Sequence, residues 1–268
     1  MSSRSWAIVL GASSGFGAAS ALALARAGYN IAGVHLDTRA TRARADAVAE
    51  ACRNEGADVV FFNGNAADAR RRSNALDALR GIDDAPHIAV LLHSLAFGSL
   101  LPMTGPPDAP RLSERHLNMT LDVMAHSLVF WTQDLIDAGW VDARTRILAL
   151  TSSGSLAALP NYGAVSAAKA ALEAHVRQLA AELAPRGIRV NALMAGVCNT
   201  PALQKIPGHP ALLETAQRQN PSGRLTTPED IASAILWMLH PGSQWVTGQV
   251  IPVDGGETIA GSSGFFSG

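Results

Sequence analysis

Apolar and polar positions along this chain follow two rhythms. Short apolar runs recur at 6–10, 30–36, 59–63, 88–93, 146–151, 189–192 and 250–253. They read as short strands buried on both faces. Between them lie longer stretches with helical spacing, at about 15–27, 39–54, 67–79, 113–137, 162–183 and 228–239. Gly28 and Gly56 end the first two helices, and Pro228 opens the last. The stretch 98–110, with four prolines, reads as a surface loop near the site, and 200–220 as a variable segment. Strand and helix alternate throughout. That order predicts an α/β fold: one doubly wound parallel sheet of about seven strands with helices on both faces. No internal repeat or domain boundary is visible. One domain over 1–260 is expected, followed by a flexible Gly/Ser-rich tail at 261–268.

Composition narrows the class. Of 268 residues, 48% are hydrophobic and 16% charged, which excludes a disordered chain. Twenty-one basic residues against 22 acidic ones leave no excess to hold a nucleic-acid backbone. Arg70, Arg71 and Arg72 read as a solvated helix start. Cys52 and Cys198 form no framework of disulfides and no Cys-x-x-Cys pair, and the eight histidines lack ligand spacing. No metal is expected. The apolar stretch 6–33 is broken by Gly11, Gly15, Gly17 and Gly28, so it is read as strand, turn, helix and strand rather than as a membrane span. A soluble, cytoplasmic protein is expected.

The first chemical signal is Gly11-Ala-Ser13-Ser14-Gly15-Phe16-Gly17, between the first strand and the first helix. Glycines let the backbone approach a pyrophosphate, and the helix N-terminus offers free N–H groups. Around this turn, the segment resembles the short-chain dehydrogenase/reductases. Asn191-Ala192, Ala195-Gly196 and Asp254-Gly255-Gly256 carry the likeness to about residue 259. It implies a single Rossmann-type domain and a nicotinamide cofactor.

The chain has two tyrosines. Tyr29 reads as packing under a turn, which leaves Tyr162 as the candidate phenol. Most family members place tyrosine four residues before the lysine, where this chain has Val165; Tyr162 stands seven before Lys169. Four and seven helical steps return to about one face, about 4.5 Å apart along the axis. The phenol therefore meets a different substrate atom. Tyr-x6-Lys resembles the bacterial enoyl-acyl-carrier-protein reductases, and so do His93-Ser94-Leu95-Ala96-Phe97 and Asp122 to Ser127, which puts Met124 where ketoreductases keep a catalytic Asn. The ordinary glycine turn, with Ser152 at the position ten before Tyr162, matches a smaller NADPH-dependent type.

The resemblance implies reduction of the 2,3 double bond of an enoyl thioester, on acyl-carrier protein. Tyr162 would stabilise the developing enolate, Lys169 would bind the ribose and lower the phenol pKa, and Ser152 would assist. Cofactor contacts are expected from the glycine turn and from Asn65, Ala66, Ser94, Ala96, Gly196, Val197 and Thr200. Phe97, Leu101, Met103, Leu203 and Ile206 are expected to line the substrate site, with Leu100 on the same wall as Leu101 and Met103. At the end of the second strand, His35, Arg39 and Arg42 would surround a 2′-phosphate, while Asp37 would oppose one if it points inward. NADPH is the expected cofactor, with NADH as the alternative. A homotetramer is implied. The alternative activity is a β-ketoacyl or other carbonyl reductase, including those of secondary metabolism.

Overall fold

The computed structural model describes residues 4–106 and 108–260; the expected tail at 261–268 lies outside them. Seven strands form one sheet in the order β3-β2-β1-β4-β5-β6-β7, every adjacent pair parallel. They are β1 Trp6–Leu10, β2 Asn30–His35, β3 Val59–Asn63, β4 Ile88–His93, β5 Arg146–Ser152, β6 Arg189–Ala195 and β7 Val250–Val253. The central strands are buried along their length, as apolar runs without polar alternation require.

Among the described residues, eight α-helices accompany the sheet: α1 Gly15–Arg26, α2 Arg42–Asn54, α3 Ala69–Arg80, α4 Glu114–Leu121, α5 Ser127–Asp137, α6 Gly163–Leu183, α7 His209–Gln219 and α8 Pro228–Leu239. Alternate strand residues feed two cores. Trp6, Ile8 and Leu10 pack with Trp131, Leu172 and Val176, on the side of α5 and α6. Ala7 and Val9 pack with Ala21, Leu24, Ile231 and Ile235, on the side of α1 and α8. The strand order reverses direction between β1 and β4. In such sheets the crevice outside the carboxyl ends at that point binds ligands.

Several boundaries differ from the sequence expectation, each for a local reason. Helix α2 starts at Arg42 rather than 39, because Thr38 and Thr41 first form a turn of their own. Helix α3 starts after Asp68, whose side chain accepts from Arg71 N and caps it. The expected single helix over 113–137 is two helices joined by a π-helical turn, Asp122–His126. The variable segment contains α7, entered through Gly208 at φ 80° and Pro210.

The glycine turn depends on close packing. A Cβ on Gly17 would stand 2.1 Å from the Gly11 carbonyl oxygen, and Gly11 itself adopts φ 93°. Gly17→Ala is expected to cost about 1–3 kcal/mol. Urea unfolding checks this, and an unchanged midpoint would contradict the packing argument.

Candidate active site

A cavity of about 360 Å³ opens at the carboxyl ends of β4, β5 and β6. Tyr162 is the N-cap residue of α6, not part of its first turn. Its ring lies against Gly154, where a Cβ would stand 2.5 Å from Cε1. Ser152 ends β5 beside it, and its buried Oγ meets no hydrogen-bond partner among the described residues. Lys169, two turns into α6, is buried. Its Nζ donates to the carbonyl of Leu150 at 2.7 Å and to that of Leu95 at 3.3 Å.

Electrostatics follow burial. Desolvation pushes the Lys169 ammonium down to about 8, opposed by the charge of Glu173. Burial raises the Tyr162 phenol, with the Ser152 hydroxyl acting the other way. The net direction is upward, and no charge effect of Lys169 on the phenol enters it. Behind the site, His93 Nε2 bonds to Ser127 Oγ at 2.9 Å, and Ser127 donates to the Val123 carbonyl. His93 is pressed down to about 3, first by burial and then by Lys169, so it stays neutral.

The position four before Lys169 is sealed. Val165 packs with Met124, Val123 and Ala168 in a small apolar cluster that forms one wall of the cavity. The π-helical turn carries Met124 into that wall.

The cavity brings together Phe16, Ser94, Ala96, Phe97, Ser152, Tyr162, Lys169, Gly196, Val197, Thr200, Leu203 and Ile206. Two expected wall residues are corrected. Neither Leu101 nor Met103 lines it; Met103 is exposed and lies over Gly163, while Leu100, expected on the same wall, does line it. Asn65 and Ala66 lie apart, against a second cavity beside Trp131, which donates to the Ala66 carbonyl.

The glycine turn fits a dinucleotide. Helix α1 has no acid in its first turn, and its N-cap Ser14 makes no side-chain cap bond, which leaves backbone N–H groups free for an anion. At the end of β2, His35 Nδ1 and Asp37 Oδ2 stand 2.8 Å apart, and both side chains are nearly buried. Burial alone would raise Asp37, but hydrogen bonds from Thr41, Ser13 and His35 outweigh it and hold the carboxylate below its ordinary range. Asp37 therefore points inward, next to the glycine turn, while Arg39 and Arg42 stand exposed.

Sequence reasoning assigned no role to Leu95, Cys198, Glu257 or Glu173. Leu95 acts through its carbonyl, which no side-chain pattern reveals. Cys198 lines the cavity, its thiol pushed up to about 11 by burial. Glu257 lines it as well and accepts from Val197 N at 2.9 Å.

Fold and site together define a short-chain dehydrogenase/reductase, a class that works with a nicotinamide cofactor. The family model described as Enoyl-(Acyl carrier protein) reductase matches residues 11–258, and the chain belongs to that family. The enoyl-[acyl-carrier-protein] reductase [NADH] 2 of Rhizobium meliloti (strain 1021) is 45% identical over 113 residues, 42% of this chain and 42% of that protein. The match thus spans less than half the length of that relative. Enoyl-[acyl-carrier-protein] reductase [NADH] FabI of Nostoc sp. (strain PCC 7120 / SAG 25.82 / UTEX 2576) is 30% identical over 205 residues, 75% of this chain and 76% of that protein. The crystal structure of enoyl-[acyl-carrier-protein] reductase (NADH) from Aquifex aeolicus VF5 superposes with a TM-score of 0.82 at 26% identity, covering 96% of this chain and 97% of that one.

The buried lysine gives a pH prediction. Its pKa is depressed, so its charge is present at low pH and lost as pH rises through about 8. Nicotinamide-cofactor binding is expected to weaken across that point, with fluorescence titration as the check. Constant affinity to pH 9.5 would contradict the ribose role of a charged Lys169.

Proposed function

We propose that this chain reduces the 2,3 double bond of an enoyl thioester, with Tyr162, Lys169 and Ser152 as its reactive residues. One observation carries the reading. The phenol facing the cavity is Tyr162, at the head of α6, while the position four before Lys169 is Val165 in an apolar wall with Met124. A ketoreductase of this class needs a proton donor at that position.

When bound, the nicotinamide supplies a hydride. The chain's part is to hold the thioester and receive the negative charge that gathers on its oxygen as an enolate. Tyr162 keeps its proton, because burial raises its pKa, and it donates a hydrogen bond to that oxygen. The free Oγ of Ser152 adds a second donor. An ammonium has three donors. Two of those on Lys169 are used on Leu150 and Leu95, which leaves one for the ribose. Leu100, Leu203, Ile206 and Leu212 offer the acyl chain an apolar bed.

NADH is the cofactor this reading favours. The names of the relatives specify NADH. Asp37, turned inward beside the glycine turn, suits a ribose 2′-hydroxyl and repels a 2′-phosphate. The expectation of NADPH rested on His35, Arg39 and Arg42. His35 is instead bound to Asp37, and the two arginines make no ion pair among the described residues. Acyl-carrier protein as carrier, a single domain over 1–260, a homotetramer and a cytoplasmic place belong to the same proposal. The resemblance supports them, and no helix of the described residues is long and apolar enough to cross a membrane.

A carbonyl reductase is the second reading, because the unpartnered Ser152 hydroxyl beside Tyr162 would also suit a ketone oxygen. Crotonyl and acetoacetyl thioesters, followed at the nicotinamide band, separate the two. Oxidation with crotonyl thioester is expected, and oxidation with acetoacetyl thioester alone would overturn the proposal. Tyr162→Phe is expected to lower kcat by about 10²-fold or more while cofactor affinity holds; unchanged turnover would remove its role. Asp37→Ala is expected to raise the KM for NADH about tenfold and to leave NADPH unharmed. Equal loss with both would argue against NADH selection.

A further inference from the structure

Lys169 holds a charge in a place that disfavours one. The same strand that receives its ammonium makes a second buried contact with α6. Thr151, directly after Leu150 on β5, donates its hydroxyl to Glu173 Oε1 at 2.6 Å. Thr151 is 3% exposed and Glu173 8%, so both groups lie out of water. Residues 169 and 173 stand one turn apart on the same face of α6. Two neighbouring residues of β5 are therefore gripped by two residues of one helix face. Lys169 takes the Leu150 carbonyl, and Glu173 takes the Thr151 hydroxyl. Ser152, the next residue of β5, lies beside Tyr162.

A single hydroxyl does not balance a buried carboxylate; a charge in such surroundings needs an opposite charge as well. Lys169 supplies it from the same helix face. Cys198, Lys205 and Glu257 line the same cavity as Lys169 from other elements, as does Tyr162 at the head of α6, and His93 at the end of β4 feels the charge of Lys169. His93 and Tyr162 are neutral near pH 7, His93 because burial and Lys169 depress it, Tyr162 because burial raises it. Glu173 is the carboxyl group one turn along the same helix face, and its charge opposes the desolvation of Lys169.

We propose that Glu173 is a positioning residue for the reaction: anchored by Thr151, its carboxylate keeps Lys169 protonated and holds the end of β5 in register with α6. The proposal rests on the reading of Lys169 as the cofactor-binding cation.

The chain has two lysines, Lys169 and Lys205. Protein labelled with ¹³C-lysine therefore gives two side-chain ε-carbon signals to follow against pH, assigned with Lys205→Arg. The Lys169 signal is expected to titrate near 8 in the native protein. In Glu173→Gln, which keeps an acceptor for Thr151 and removes the charge, the midpoint is expected about one unit lower. The alkaline fall in NADH binding should move with it, while affinity at pH 6 stays the same. Glu173→Asp, which keeps the charge, should restore the native midpoint. If Glu173→Gln does not fold, Glu173→Met, similar in size and uncharged, carries the same expectation. An unmoved Lys169 midpoint in a folded uncharged variant would overturn the proposal. So would a loss of kcat at every pH without a midpoint shift, because packing alone would produce it. The titration needs no substrate, so failure of the enoyl-thioester reading leaves this result separately readable.

Discussion

A lysine side chain held out of water by two backbone carbonyls sets the terms for the rest of this site. Lys169 reaches from α6 to the carbonyls of Leu95, just past β4, and Leu150, on β5. Those carbonyls lie side by side because β4 and β5 pair in parallel through Val90–Arg146 to His93–Ala149. The helix is held at that height by its own apolar face, Leu172, Val176, Leu179 and Leu183, in the core beside Trp131. Burying those four side chains contributes on the order of 1.5–3 kcal/mol each, which offsets the desolvation of one cation. Large apolar burial thus supports a small polar cluster whose members could not stay together alone.

From that fixed point the chemistry is a matter of spacing. A phenol four residues before the lysine would lie within the first turn of α6. There the chain has Val165, closed off by Met124 on the π-helical turn. The phenol instead comes from the residue that caps the helix, held against Gly154 in the β5–α6 connection. On the proposed reading the site keeps the lysine and serine positions of its class but offers its proton donor from a different height. A shift of that size decides whether the hydrogen bond reaches a reacting carbonyl or the oxygen of a conjugated thioester.

Much of this was legible in the residues. Strands such as 6–10 and 250–253 announce themselves because an apolar run without alternation, bounded by turn residues, has few other uses. The glycine turn was legible because Gly17 permits an approach no other residue allows. Tyr162 and Lys169 were legible because tyrosine and lysine are rare here. What stayed hidden depends on long-range contacts or on side-chain direction. The inward turn of Asp37 comes from its bond to His35, and the helix 209–219 draws on few apolar residues. Nor does the sequence separate Leu100, which lines the cavity, from Leu101 and Met103, which do not. Glu173 reads as a helix-surface acid until Thr151 is placed opposite it.

On the proposed reading, hydride passes to a carbon–carbon double bond. The most direct measurement follows the atom itself. Crotonyl thioester is turned over with nicotinamide deuterated at the transferring C4 position, and the product is read by NMR and mass spectrometry. A saturated butyryl thioester with deuterium on C3 is expected. Intact crotonyl thioester, with deuterium found instead on the carbinol carbon when acetoacetyl thioester is supplied, would contradict it.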